Sequence, residues 1–244
     1  MIEEPLVTVN ILSFNRKDEL RNTLNQVYEQ DYKNIEVIVV DNASSDGSAE
    51  MVKSEFPQVQ LIQLEKNIGI AGWNEGFKAA KGEFILVLDD DSYPLSGSII
   101  NGIEKFYSSS NLGIVAFKVF DLNMNETDSI YLQENNLLYF IGCAALIKKS
   151  IFYEVGFFSK ILFIYEHEID FTIRVINSGY SIILINQSRI IHTRNKLNRK
   201  LRNNYDDRRI YYRTRNILII LTKYFPLKIV GLRIIRIIIG RLWF

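Results

Sequence analysis

Apolar and polar positions along the first 90 residues follow two alternating patterns. Compact runs of β-branched and aliphatic residues at 7–12, 35–40, 59–64 and 84–88 read as strands, and the segments between them, 17–29, 46–56 and 72–80, read as helices. Asp46 and Ser48 stand where a helix start needs side-chain acceptors for its free N–H groups. Strand and helix in alternation imply βαβ units and a mostly parallel sheet flanked by helices. Right-handed crossovers then bring the loop after each strand to one edge, where open α/β sheets bind ligands. Beyond residue 112 the pattern is less regular. Strands are expected at 114–117, 137–147 and 180–185, a polar stretch at 121–136, and a helix at 169–178 stopped by Gly179.

That edge gathers three polar turns: Ser13-Phe14-Asn15-Arg16, the segment from Asp41 to Asp46, and Asp89-Asp90-Asp91. The first turn has neither a G-x-G-x-x-G pattern nor a Walker lysine, which argues against dinucleotide cofactors and P-loop hydrolysis. Three carboxylates at a strand exit repel one another strongly unless a cation shares them. Hard oxygen donors suit Mg²⁺ or Mn²⁺, ions that commonly hold substrate phosphates. The simpler alternative is a solvated acidic turn ahead of Pro94.

A second acidic cluster, Glu166-His167-Glu168-Ile169-Asp170, opens the helix expected near 169. Carboxylates four apart, at 166 and 170, would share a face, although acids at a helix start also simply favour the helix dipole. His192 follows the apolar pair Ile190-Ile191 and is a candidate metal ligand through a neutral nitrogen. Trp73 and Tyr93 suit either ring stacking or ordinary packing. Cys143 stands alone, so no intrachain disulfide can form, and it reads as a small buried thiol.

Composition adds an asymmetry that the net charge of +1 conceals. Residues 1–188 hold 14 Lys and Arg against 26 Asp and Glu, whereas residues 189–244 hold 15 against two. A basic tail of this kind seeks phosphates, anionic lipid or nucleic acid, or pairs with the acidic body. Its last 22 residues mix Lys228, Arg233, Arg236 and Arg241 with Ile, Leu, Trp and Phe. That mixture suits a helix lying in a membrane surface, since no window has the roughly 18 uncharged apolar residues of a span. No RNA-binding motif is present, and nucleic acid is not an expected partner. Met1 to Pro5 shows no secretory pattern, and a cytoplasmic location is expected.

Several stretches together resemble family 2 glycosyltransferases of the GT-A fold. They are Val9 to Arg16, Val39 to Ser48, Asn67 to Gly76, Ala80 to Asp91, Glu168-Ile169-Asp170-Phe171 with Arg174, Gly179-Tyr180, His192, and Tyr212-Arg213-Thr214-Arg215-Asn216. The resemblance runs in order over residues 5–220. It implies a catalytic domain over 1–222, a Rossmann-like sheet, and a basic helical appendage over 223–244. It also implies transfer of a sugar, with inversion, from a nucleoside-diphosphate donor to a glycan or lipid-linked acceptor. The setting implied is bacterial surface polysaccharide synthesis at the cytoplasmic face of the inner membrane.

By the same resemblance Ser13, Asn15 and Arg16 line the nucleoside pocket, Asp41 accepts from base or ribose, and Asn67 and Gly69 pack beside the nucleotide. Asp89 and Asp91 match the D-x-D signature that bridges Mn²⁺ or Mg²⁺ to the diphosphate, with Asp90 toward ribose or sugar and His192 near the metal. Glu168 matches the general base, and Glu166 is the alternative. Asp170 and Arg174 match structural or acceptor-side positions. His167 occupies a place where the family usually has an acid, so the surroundings of the base differ here. Two other readings are a nucleotidyltransferase, which lacks its usual glycine-rich loop here, and a catalytically silent nucleotide-sugar-binding or membrane scaffold protein. The resemblance leaves donor sugar, acceptor and oligomeric state open.

Overall fold

The structure, a computed structural model, describes residues 4–127, 139–193 and 207–232. Its centre is a sheet of β1 (Val7–Ser13), β2 (Ile35–Asp41), β3 (Gln60–Gln63), β4 (Phe84–Asp89), β5 (Ser92–Pro94), β6 (Leu112–Phe120), β7 (Ala145–Lys148) and β8 (Ser181–His192). The strands lie in the order β3-β2-β1-β4-β7-β6-β8-β5. From β3 to β4 every pairing is parallel. The far half is mixed: β7 runs antiparallel to β4 and β6, β6 and β8 pair in parallel, and β5 is antiparallel to β8.

The helices are α1 (Lys17–Tyr28), α2 (Ser48–Glu55), α3 (Trp73–Ala79), α4 (Ser98–Ser108), α5 (Lys149–Val155), α6 (His167–Asn177) and α7 (Asp207–Tyr224). They cover both faces of the sheet, which explains the continuous apolar runs. In β4, Phe84, Leu86 and Leu88 join a core with Leu20, Leu24, Ile103 and Phe106, from α1 and α4. Ile85 and Val87 point the other way, into a core with Phe77, Phe152, Phe171 and Val175, from α3, α5 and α6. Trp73 and Tyr93 are 3% and 8% exposed, and the Trp73 indole donates to the Leu88 carbonyl at 3.1 Å.

The sequence pattern does not signal α4, α5 or the short strand β5. Where a strand is expected over 137–147, regular pairing begins only at Ala145, and residues 128–138 lie outside the described residues. β8 continues well past residue 185 to His192. The polar pair Asn186-Gln187 hides this continuity, and the register against β6 shifts between Phe117 and Lys118. The boundary expected at 222/223 falls near the end of α7, and residues 233–244 lie outside the described residues. Among the described residues no helix is long and apolar enough to cross a membrane.

Candidate active site

Parallel pairing brings three strand ends together: Ser13 is in register with Asp41, and Leu12 with Asp89. The turns that follow are stitched to each other. The Asn15 N–H donates to Ser44 Oγ at 2.9 Å, and the Ser45 N–H to Asn15 Oδ1 at 2.7 Å. One carboxylate serves two helix starts: Asp46 accepts the Lys17 N–H at 2.9 Å and the Ser48 N–H at 3.0 Å. Beneath them Asp41 is 2% exposed and accepts the Ser44 N–H at 3.3 and 3.4 Å. Ser13 Oγ is buried without a hydrogen-bond partner among the described residues.

Asn67 and Gly69 link this pocket to the loop ahead of α6. Asn42 Nδ2 donates to Asn67 Oδ1 at 3.0 Å and to the Gly69 carbonyl at 3.1 Å. Gly69 has φ +65°, and a Cβ there would lie 1.9 Å from the Phe163 carbonyl oxygen, so only glycine fits. The adjacent Ile70 N–H donates to that oxygen at 2.7 Å.

The acidic run at the β4 exit divides into distinct roles. Asp91 is 4% exposed; it accepts from Arg16 Nη1 at 2.6 Å on Oδ2, and its Oδ1 lies 3.0 Å from His192 Nε2. Burial pushes its carboxyl up, but His192 and Arg16 outweigh this and hold it below the usual range. Asp90 turns toward the first loop, where it accepts the Phe14 N–H at 3.2 Å and lies 3.4 Å from Arg16. Desolvation, opposed by Arg16 and reinforced by Asp91 and Asp89, pushes Asp90 up to about 8.

Asp89 stands at the entrance, its side chain 35% exposed and Oδ2 3.8 Å from His192 Nε2. Enclosure by the surrounding protein raises its pKa, while His192 opposes the rise. His192 reaches the cluster because β8 pairs with β5, with His192 opposite Ser92. Its other ring nitrogen, Nδ1, lies 3.7 Å from Cys143 Sγ. Donor atoms of Asp89, Cys143 and His192 all lie within 4.8 Å of one another. This oxygen, nitrogen and sulfur set, with the buried Asp91 carboxylate against His192, fits a divalent cation.

Across the Gly142-Cys143 turn lies the second acidic group. Gly142 sits directly against this group: a Cβ there would lie 2.9 Å from Glu168 Oε1 and 3.0 Å from His167 Nε2. Burial pushes Glu168 up to about 7, Glu166 adds repulsion, and the Gly142 N–H and Arg213 moderate the rise. His167 packs between Trp73 and Phe158, at ring-centroid distances of 5.6 and 4.9 Å. Burial drives it down to about 4. Its Nδ1 lies 3.2 Å from Glu168 Oε2 but is not aligned for a hydrogen bond.

The remaining acids are engaged elsewhere. Glu166 accepts from Arg213 Nε at 2.8 Å. Asp170 accepts from Arg174 at 2.9 Å, Lys223 at 3.1 Å and Tyr224 at 2.8 Å, so it joins α6 to α7. Of these α7 partners, Arg213 falls in a stretch that carries the family resemblance, whereas Lys223 and Tyr224 carry no sequence signal of their own. Their spacing becomes informative only once residues 213, 216, 220 and 223 are seen to share a helix face. Cys143 is buried as its sequence context suggests, but its approach to Asp89 and His192 carries no sequence signal, because these partners arrive from β4 and β8.

The glycosyl transferase family 2 model matches residues 8–170, about two thirds of the chain. The chain belongs to this family. One similar protein is the Escherichia coli UDP-Glc:alpha-D-GlcNAc-diphosphoundecaprenol beta-1,3-glucosyltransferase WfaP. It is 36% identical over 115 residues, covering 43% of this family 2 chain and 45% of the relative. Among solved structures, the mannosyltransferase PcManGT from Pyrobaculum calidifontis, in complex with GDP-Man and Mn²⁺, aligns with TM-score 0.72 and 21% identity. That alignment covers 91% of this chain and 64% of the other. TarS 1-349 from S. aureus, in complex with UDP-GlcNAc, aligns with TM-score 0.64 and 19% identity over 78% of this chain and 58% of its own. These two likenesses carry the GT-A fold. The chain spans about half the length of the Escherichia coli relative.

Proposed function

We propose that this chain transfers a sugar from a nucleoside-diphosphate sugar to a hydroxyl of a glycan or lipid-linked acceptor, by single displacement with inversion. The observation that carries this reading is the Gly142-Cys143 turn, with Glu168 against Gly142 and the Asp89–His192 cluster against Cys143. A desolvated carboxylate and a cation pocket on opposite sides of one dipeptide meet the two demands of glycosyl transfer. One takes the acceptor's proton, and the other stabilises the departing diphosphate.

Ser13, Asn15, Arg16 and Asp41 form the nucleoside pocket in this reading, with Asp41 accepting from an imide or sugar hydroxyl. Asp89, Asp91 and His192 would hold Mn²⁺ or Mg²⁺, which supplies Lewis-acid stabilisation of the diphosphate when bound. Glu168, pushed up to about 7, keeps enough basicity near neutral pH to accept a proton. Glu166 is paired with Arg213, which leaves Glu168 as the base. The bound GDP-Man and UDP-GlcNAc of the two structural neighbours support a nucleotide-sugar donor. The diphosphoundecaprenol in the Escherichia coli relative's name supports a lipid-linked acceptor, and the reading places the reaction in surface polysaccharide assembly on the cytoplasmic face of the inner membrane.

The test begins by screening uridine, guanosine and thymidine diphosphate sugars for Mn²⁺-dependent thermal shift, then measures nucleoside diphosphate release. Glu168→Gln is expected to lower turnover by about 10²–10⁴-fold while donor affinity changes by less than about tenfold. Unchanged turnover in this variant, or full activity in excess chelator, overturns the mechanism.

A further inference from the structure

Cys143 is the single cysteine of the sequence, and the structure buries it to 2% exposure in a turn between two reactive poles. Its Sγ lies 3.7 Å from His192 Nδ1. Two donors on one tetrahedral zinc-like ion, at sulfur and nitrogen bond lengths of about 2.3 and 2.0 Å, stand roughly 3.5 Å apart. The observed spacing therefore needs almost no movement to close on an ion. Asp89 supplies a third donor, within 4.8 Å of Cys143 Sγ and of a His192 ring nitrogen, its Oδ2 standing 3.8 Å from Nε2.

The far side of the imidazole makes the same point. His192 Nε2 lies 3.0 Å from Asp91 Oδ1, whose other oxygen is held by Arg16. A carboxylate bonded to one ring nitrogen fixes the tautomer and turns the other nitrogen toward a metal. Here that other nitrogen faces a sulfur.

We propose that Asp89, Cys143 and His192 form a three-ligand site for a thiophilic divalent ion of the Zn²⁺ class, with Asp91 orienting His192. The site rests on the reading of this pocket as a cation pole, and goes beyond it by adding sulfur to the donor set. Mn²⁺ or Mg²⁺ on a diphosphate needs only oxygen and nitrogen, whereas thiolate selects Zn²⁺ and its relatives. Because Asp89 and His192 belong to both donor sets, a thiophilic ion and the diphosphate-bound ion compete for this place. Binding releases the thiol proton to solvent as the sulfur–metal bond forms. Asp89, its side chain 35% exposed, puts the donor set within reach of solvent, as an exchangeable rather than a closed site requires.

The experiment is a Co²⁺ titration of the full chain followed by absorption, with Mn²⁺-dependent nucleotide binding measured in parallel. Expected are ligand-field bands in the visible and a sulfur-to-cobalt charge-transfer band in the near ultraviolet, both saturating at one equivalent and both displaced by Zn²⁺. With one cysteine in the chain, the charge-transfer band of the unmodified protein can arise only from Cys143. Cys143→Ser should lose that band and keep the ligand-field bands; His192→Ala should weaken Co²⁺ binding at least tenfold. Ligand-field bands without charge transfer in the unmodified protein overturn the sulfur ligand and leave the proposed activity standing. Absence of Co²⁺ binding together with absence of Mn²⁺-dependent nucleotide binding overturns both.

Discussion

At the Glu168 carboxyl, burial shifts proton affinity from the usual carboxylate range up to about 7. The consequence for stability has a definite sign. Between about pH 4.5 and 7 the folded state keeps a proton that the unfolded chain has released. Stability therefore falls as pH rises through this window, by an amount on the order of 3 kcal/mol for this group. Urea denaturation of the unmodified protein and Glu168→Gln across pH 4–8 should show the difference between them growing with pH, with the variant the more stable at pH 8. Asp90, pushed up to about 8, adds a slope of the same sign to both proteins and cancels in the comparison. Residue by residue, the acids at 89–91 and the carboxylates at 166–170 are legible in the sequence because charge at a strand exit or a helix start is conspicuous. Cys143 is not legible, because its meaning depends on a histidine 49 positions away that a strand pairing brings beside it.

The loop that leads into α6 concentrates left-handed non-glycine backbone, which elsewhere in the site occurs singly at Asn15 and Ala43. Phe163, Tyr165 and Glu166 all have φ near +60°, a conformation costly for residues with side chains. α7 holds it in place. Asn216, fully buried, directs Nδ2 at the carbonyls of Leu162, Ile164 and Tyr165 at 2.9, 2.7 and 2.9 Å. Arg215 Nη2 donates to the carbonyls of Ile161 and Leu162 at 2.6 and 2.9 Å. Asn216→Ala leaves buried carbonyls unpaired and should cost about 1–3 kcal/mol in chemical denaturation. A loss below about 0.5 kcal/mol would mean that the loop keeps its shape without this support. Elements are legible where one period dominates: the parallel strands β1, β2 and β4 are apolar on both faces and stand out. β5 does not, being a short stretch that contains Pro94 and pairs with β8 alone. α4 is equally hidden, since it follows a turn of small and polar residues and has no acid in its first turn.

Across the whole molecule, the acidic body and basic C-terminal segment meet through α7, where Arg213, Lys223 and Tyr224 bond to Glu166 and Asp170. Part of the positive charge is thus engaged within the chain. Leu227 and Leu232, just past α7, are 82% and 66% exposed. A chain ending at residue 232 keeps Arg174, Lys223 and Tyr224, which bond to Asp170, and removes Arg233, Arg236 and Arg241 with their apolar neighbours. In flotation with vesicles containing anionic lipid, the full chain is expected to float and the shortened one to sediment, with the difference shrinking at high salt. Equal flotation of the two would dismiss the terminal segment as a membrane anchor. The charge asymmetry is legible from residue counts alone. The internal pairing is not, because it requires the three-dimensional path of α7.

One small junction has a mechanical consequence. Since Asp46 accepts at the beginnings of both α1 and α2, loosening one wall of the nucleoside pocket weakens a hydrogen bond of the other. Thermal agitation reaching one wall is handed to the other, so the cleft should breathe as a hinged plate, with amide exchange at Lys17 and Ser48 rising and falling in concert.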